Sequence, residues 1–414
     1  MPSWKDKISS VLNWAVCFAY AGLFFSIPFS NLTLIILLIC ALLMVDLGII
    51  RDSIKSSLPI QLLIGFYLLH IIGLIYTENL SYGIFVLEKK ISLLLLPLLL
   101  FPAWQKLDSR EKSELPFRLG IITIASSLFF LLQALLNKIL CDDPRAFHPD
   151  YFASIQYVYY SIYFATGSLL MLTAMPSRLK NVKVKIPIYL LLIGYSLGML
   201  VLTSSKTGII SYVIGLGYFL YIQLPSRRLF YASLAGVILS LSLFLAIHPA
   251  TLNRFLELKK NLSVVKEDKL QNYEEFTGLN LRLYFWKSSI TQLWEDNRFF
   301  AGTGTGDGQD YLNMTYQKHR LDRYGYTNYD AHSQWVTTLI QLGLLGLGIL
   351  GALLGWTIYK ARNLGNYELL FFIWIIFCFS FSESVLESNK GIVFFALLFS
   401  VFSPSKTKTP LPTA

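Results

Sequence analysis

The sequence predicts an all-α, polytopic membrane protein of about 12 transmembrane helices with one large outer loop containing short helices. Three observations predict it. Apolar residues make up 54% of the 414-residue chain and charged residues only 14%, where a soluble domain carries about a quarter charged. Several apolar runs reach the ~18 residues that cross a bilayer as a helix. Between the runs, Lys and Arg gather on alternate connections, so the net charge of +10 reads as an orientation signal rather than a nucleic-acid footprint.

Apolar runs and their flanks place spans near 11–29, 32–50, 58–77, 83–104, 118–140, 157–175, 186–204, 208–224, 229–248, 334–358, 367–381 and 391–403. One side then holds Lys5, Lys7, Arg51, Lys55, Lys106, Arg110, Lys112, Arg118, Arg178, Lys180, Lys183, Lys185, Arg227, Arg228, Lys360, Arg362, Lys406 and Lys408. The other side holds few basic residues in its short loops: Arg145, Lys206 and Lys390, with Lys89, Lys90 and Lys138 near span ends. The positive-inside rule puts both termini in the cytoplasm. The first run has no small-residue cleavage site and reads as a retained span. The chain divides into spans 1–9 (1–248), a large outer loop (249–333), spans 10–12 (334–403) and a polar cytoplasmic tail (404–414). Of the four cysteines, Cys17, Cys40 and Cys378 fall in spans and Cys141 outside, with neither a disulfide framework nor zinc spacing.

Spare polar residues collect on the outer face, in 249–333, in 141–160 and in the hairpin 383–390. The long loop has helical periodicity near 252–260 and again over 281–296, where Leu283, Trp286, Ile290 and Leu293 or Trp294 share a face. "AGTGTGDG" at 301–308 lacks the GK[ST] of a phosphate loop and reads as a tight structural turn near the site. Asp307 alone is no metal site, and no cluster has ligand spacing.

His332 stands where this loop meets the membrane. An imidazole titrates near neutrality and can take a proton from an attacking hydroxyl; the alternative is a histidine capping an interfacial helix. His332 and Ser333 are followed by nine residues, Gly343, two residues and Gly346. This His-[Asn/Ser/Gln]-x9-Gly-x2-[Gly/Thr/Tyr] spacing resembles the signature of the O-antigen ligase family. That family shares its outer-loop module with O-antigen polymerases and bacterial protein O-oligosaccharyltransferases. The span count, the cytoplasmic termini, the large loop before the antepenultimate span and the "GTGTGD" turn agree with it. The glycines at 343, 346, 348, 351 and 355 are expected to thin the same helix for packing.

The resemblance implies a metal-independent, inverting glycosyltransferase with no cofactor, in the bacterial inner membrane with its large loop periplasmic. Its donor is a glycan on undecaprenyl diphosphate. Its acceptor is lipid A-core in lipopolysaccharide biosynthesis, with a growing O-antigen or exopolysaccharide chain (polymerase) or a protein Ser/Thr as alternatives. Its partners are these substrates and membrane lipids, not nucleic acid. His332 would activate or orient the acceptor hydroxyl. Arg282 matches the loop arginine that forks phosphate oxygens; a solvated loop arginine is the alternative. The second family arginine follows a Ser at the outer end of an earlier span, and here that position reads Lys206, in "LTSSKTGIISY". Lys206 keeps the charge but loses the fork, and snorkelling to water is its alternative. Ser205 and Ser333 flank these positions as substrate-binding candidates.

Weaker candidates surround them. Lys89 and Lys90 could line the diphosphate site, or one of them pairs with Glu88 at a later span start. His148 could touch acceptor or glycan, or be a pre-proline loop residue. Glu383 and Glu387, spaced one helical turn apart, could orient His332 or pair with Arg282 or Lys206, or form a solvated hairpin. His70 and Asp46 read as packing or interfacial residues. A lipid-linked sugar transporter also suits twelve spans, but it tends to bury charges or broken helices at mid-membrane, whereas this chain is expected to keep its polar residues in the outer loop.

Overall fold

The structure is a computed structural model that describes residues 4–175, 182–256 and 278–405, and among them there is no strand. The expected helix near 252–260 is followed only to Leu256. Residues 257–277, basic residues such as Arg178 and Lys180, and the tail from 406 lie outside the described residues.

The chain opens on α1 (Trp4–Phe25) and returns as α2 (Ile27–Leu42), which Ser26 caps by accepting the Phe29 N–H at 3.4 Å. A 101° bend separates α2 from α3 (Leu47–Lys55). Asp46 sits at that bend and caps α3 by accepting the Ile49 N–H at 2.9 Å, so its place in the sequence is explained by a helix end. Then follow α4 (Leu58–Gly73), α5 (Leu80–Lys90), α6 (Ser92–Leu95) and α7 (Phe101–Gln105), with a π-turn at Leu96–Leu100 between the last two. Pro97 and Pro102 remove backbone donors there, which loosens the ladder into the wider turn. Next come α8 (Ser109–Cys141), the short α9 (Pro149–Phe152), α10 (Tyr157–Ala174), α11 (Val182–Leu202), α12 (Lys206–Gln223), α13 (Arg227–Ile247) and α14 (Pro249–Leu256). The long loop contributes α15 (Gly278–Glu295) and α16 (Gly308–Lys318). The chain closes with α17 (Gln334–Asn363), α18 (Tyr367–Ser380) and α19 (Asn389–Phe402).

α10 and α19 are apolar all round and buried nearly all round, the signature of central helices. α13 is the opposite case: only Val237 is buried along it, while Leu239 and Ile247 are 62% and 79% exposed. So much outward apolar surface calls for a hydrocarbon surround, which marks an integral membrane protein. Every predicted span is helical over most of its length. Among the described residues, however, five helices are long and apolar enough to cross a membrane, or six if the bent α2–α3 pair is one span. Shorter apolar helices at Ser92–Gln105, Ile186–Leu202, Tyr367–Ser380 and Asn389–Phe402 lie among the rest. The expected count of twelve is therefore not reached by length and composition.

The long-loop module has its own core of Tyr284, Phe285, Leu293, Tyr316 and Leu321, closed by Val336, Leu339 and Ile340 from the first turns of α17. The predicted helix over 281–296 is present as α15 but turned about its axis. Of the predicted face, Leu293 is buried and Trp286 packs against the core, but Tyr284, Phe285, Ser288 and Gln292 also face inward while Ile290 and Trp294 are exposed. Aromatic bulk and small hydroxyls, together with Leu293, fill the space on that face.

Candidate active site

The site is built around a break in α17. Gly343 adopts φ 63°, ψ −161°, a conformation reserved for glycine, and a Cβ there would lie 2.1 Å from the Phe300 carbonyl oxygen. The break frees backbone groups, and the "AGTGTGDG" turn takes them up. The Thr303 N–H donates to the Ile340 carbonyl at 2.7 Å, Gly304 N–H to Gln341 at 3.1 Å, and Leu344 N–H to Phe299 and Phe300. The same turn is pinned to the neighbouring helices: Thr305 Oγ1 donates to the His70 carbonyl at 2.7 Å, and the Asp307 carboxylate accepts the Glu78 and Asn79 N–H groups, each at 2.8 Å. The turn is thus a plug joining α4, α5 and α17. The expected thinning by glycines is corrected, because added Cβ atoms at Gly348 and Gly355 would meet nothing. Gly343 and Gly346 are the two whose space is taken, by the plug and by Leu342 of the preceding turn.

His332 precedes α17 in a left-handed conformation, φ 46°, unusual for a non-glycine residue. Such strain persists only where the surroundings over-determine it, and here they do. Trp286 Nε1 donates to the Ala331 carbonyl at 2.7 Å, and the Gln334 N–H donates to the Glu383 carbonyl at 3.1 Å. Ser333 caps α17 by accepting the Val336 N–H and donates to the Ser380 carbonyl, so its hydroxyl is engaged in structure.

The His332 ring puts Nδ1 3.2 Å from Asp330 Oδ1 and 3.6 Å from Glu383 Oε2. The other oxygen of Glu383 accepts from Arg282 Nη2 at 2.8 Å. Arg282 and Trp286 stand four apart on α15, so one helix face holds both the carboxylate and the chain beside the histidine. Burial opposes the imidazolium, and the Arg282 charge opposes it too. The Glu383 and Asp330 carboxylates facing Nδ1 outweigh both, and His332 titrates above the ordinary imidazole range.

Glu387 does not share a helical face with Glu383. The two lie on a turn, both side chains 15% exposed, so the solvated-hairpin alternative is overturned. Glu387 pairs with Lys90, and Gln341 Nε2 donates to it at 3.3 Å. Gln334 braces the hairpin from α17, its Oε1 accepting the Leu386 N–H at 2.7 Å. Lys90 is completely buried and also reaches His70 Nε2 at 3.3 Å. This corrects three expectations: Lys90 is paired from across the chain rather than by Glu88, His70 belongs to a polar cluster, and charge is buried inside the helical body. A cavity of about 200 Å³ lies against the cluster, lined by Lys89, Glu387 and Asp330 together with Tyr82, Tyr159 and Gln341.

The other predicted residues fall in different places. Ser205 caps α12, accepting the Gly208 N–H at 3.2 Å. Lys206 opens that helix, and its neighbour Thr207 shares a 2.8 Å hydroxyl contact with Ser382, next to Glu383. Lys89 rests its ammonium 5.6 Å over the Phe85 ring while lining the cavity. His148 is not drawn in: it caps α9, accepting the Asp150 N–H at 3.4 Å, as a pre-proline loop residue would. Asp330, Gln334 and Gln341 were missed, although Asp330 stands two residues before His332 and was open to reading. Among the described residues no group of three or more His, Cys, Asp or Glu is arranged to hold a metal ion.

A helical membrane protein with a histidine, an arginine and two carboxylates gathered at the long loop's junction with the helical body is the class that fold and site define. Residues 190–351 match the family model described as O-antigen ligase, which supports placing this segment in the O-antigen ligase superfamily. The match takes in Lys206, Arg282, His332, Gly343 and Gly346, while Lys90, Glu383 and Glu387 lie outside it. No curated protein matches the chain.

Proposed function

We propose that this protein moves a glycan from undecaprenyl diphosphate to an acceptor hydroxyl, most simply that of lipid A-core, at the periplasmic face of the inner membrane. The observation that carries the reading is the Arg282–Glu383–His332 chain, with Asp330 beside the histidine and Ser384 next to Glu383 both lining the neighbouring cavity. With Nδ1 turned to the carboxylates, Nε2 is left to accept a proton. The acceptor hydroxyl gives that proton to His332 as its oxygen attacks the anomeric carbon. The bond from that carbon to the diphosphate oxygen breaks from the opposite face, and its electrons leave with undecaprenyl diphosphate. The anomeric centre is thereby inverted. Arg282 and Lys206 hold the growing negative charge on the leaving group, so no metal is required.

Surface glycans and lipid-linked glycans from a strain lacking the protein test this directly. Long chains stranded on the carrier beside bare lipid A-core mean ligase. Core bearing a single repeat means polymerase. Both patterns unchanged would sink both readings and point to glycoproteins. Transfer by the purified protein is expected to survive EDTA and to give the inverted anomer by NMR; retention of configuration would overturn the single-displacement step. The buried Lys90–Glu387 pair is an observation that favours the transporter reading, and glycan accumulating on the inner leaflet would select it.

A further inference from the structure

The lysine at 206 leaves a chemical gap, since a point charge cannot fork two phosphate oxygens. A guanidinium that the sequence reading passed over stands beside it. The polar break between α11 and α12 is left-handed at Ser204, φ 53°, and α14 is fastened onto it. The Ser204 hydroxyl contacts Thr251 Oγ1 at 2.6 Å, and Thr251, fully buried, donates in turn to the Val201 carbonyl at 2.8 Å. One turn further along α14, Arg254 donates from Nη1 to the Ser204 carbonyl at 3.1 Å. Its guanidinium lies 5.1 Å over the Tyr157 ring.

These contacts use one N–H and one face of a five-donor group. Among the described residues no carboxylate pairs with Arg254. Arg282 and Lys90, by contrast, are already compensated by Glu383 and Glu387. A held cation with no carboxylate partner among the described residues is what an incoming dianion needs, because the cost of ordering it is already met by the fold. Its position also fits. Thr207 connects the break to Ser382 beside Glu383, and Tyr157 shares the first turn of α10 with the cavity-lining Tyr159.

We propose that Arg254 supplies the phosphate fork that Lys206 lacks, so that the diphosphate of the donor is held by Arg254 and Lys206 together at this break. The proposal rests on the lipid-diphosphate reading above, deepening it by one residue. It is tested by the binding of glycan-free undecaprenyl diphosphate, with undecaprenyl monophosphate as comparator, to the full-length protein in lipid nanodiscs. Arg254→Ala is expected to weaken diphosphate binding on the order of tenfold or more and monophosphate binding much less. Arg254→Lys, which keeps the charge and is gentler on folding, is expected to recover only part of the diphosphate affinity. Wild-type affinity in both variants, with Arg282→Ala impaired, would overturn the role of Arg254 and leave the function standing. No preference of the wild-type protein for the diphosphate would overturn both.

Discussion

At the scale of single residues, His332 is governed by the charges around it. Glu383 and Asp330 raise its titration above the ordinary imidazole range. A general base works only when neutral, so activity is present above the His332 pKa and lost as pH falls through it. The acid limb of kcat/KM is therefore expected at higher pH than an isolated imidazole would give. Removing a carboxylate removes support for the imidazolium, so Asp330→Asn should move that limb to lower pH. A pH–rate profile checks this, and a limb that stays put would detach Asp330 from the titration. Glu383→Gln should move it the same way while lowering kcat, because Arg282 loses its partner as well. His332 was legible from its spacing to Gly343 and Gly346. Its partner Glu383 was legible only as one of two equivalent acids, since nothing in the sequence says which way a turn directs them.

At the scale of elements, the glycine signature turns out to describe backbone rather than packing. Gly343 lets α17 break, and the 301–308 turn fills the break. Gly343→Ala imposes a conformation costing about 1–3 kcal/mol before the contact with the Phe300 carbonyl is relieved. It should lower the thermal unfolding midpoint, whereas Gly348→Ala, with open space around it, should not. Equal effects in a thermal-shift assay would remove the distinction. The hairpin is held in a comparable way by the buried Lys90–Glu387 pair. Breaking such a pair from one side typically costs about 3–5 kcal/mol, while replacing both partners with apolar residues is much milder. Lys90→Met alone should thus destabilise more than Lys90→Met with Glu387→Met. Additive losses would mean that the two charges do not support each other. Periodicity located these helices, but it could not foresee α15's rotation, which depends on the fit of Tyr284 and Phe285 against α16.

At the scale of the whole molecule, a belt of apolar helices carries a polar district, where the long loop, the 383–388 turn, α5 and the starts of α12 and α17 converge. Composition was enough to read an all-helical membrane protein, because outward apolar surface as on α13 must be written into the sequence. Which distant segments meet was not readable: Lys90 and Glu387 are 297 residues apart and Arg282 and Glu383 are 101 apart, and no local pattern encodes them. The central claim is that this district transfers a lipid-linked glycan with His332 as base. The most direct test is single-turnover transfer from an undecaprenyl-diphosphate-linked glycan to lipid A-core by the purified protein in a bilayer, wild type against His332→Ala. The account predicts a rate lower by about 10²–10⁴ in the variant, with donor binding and helical content retained. A variant that binds donor and transfers glycan at the wild-type rate would contradict it.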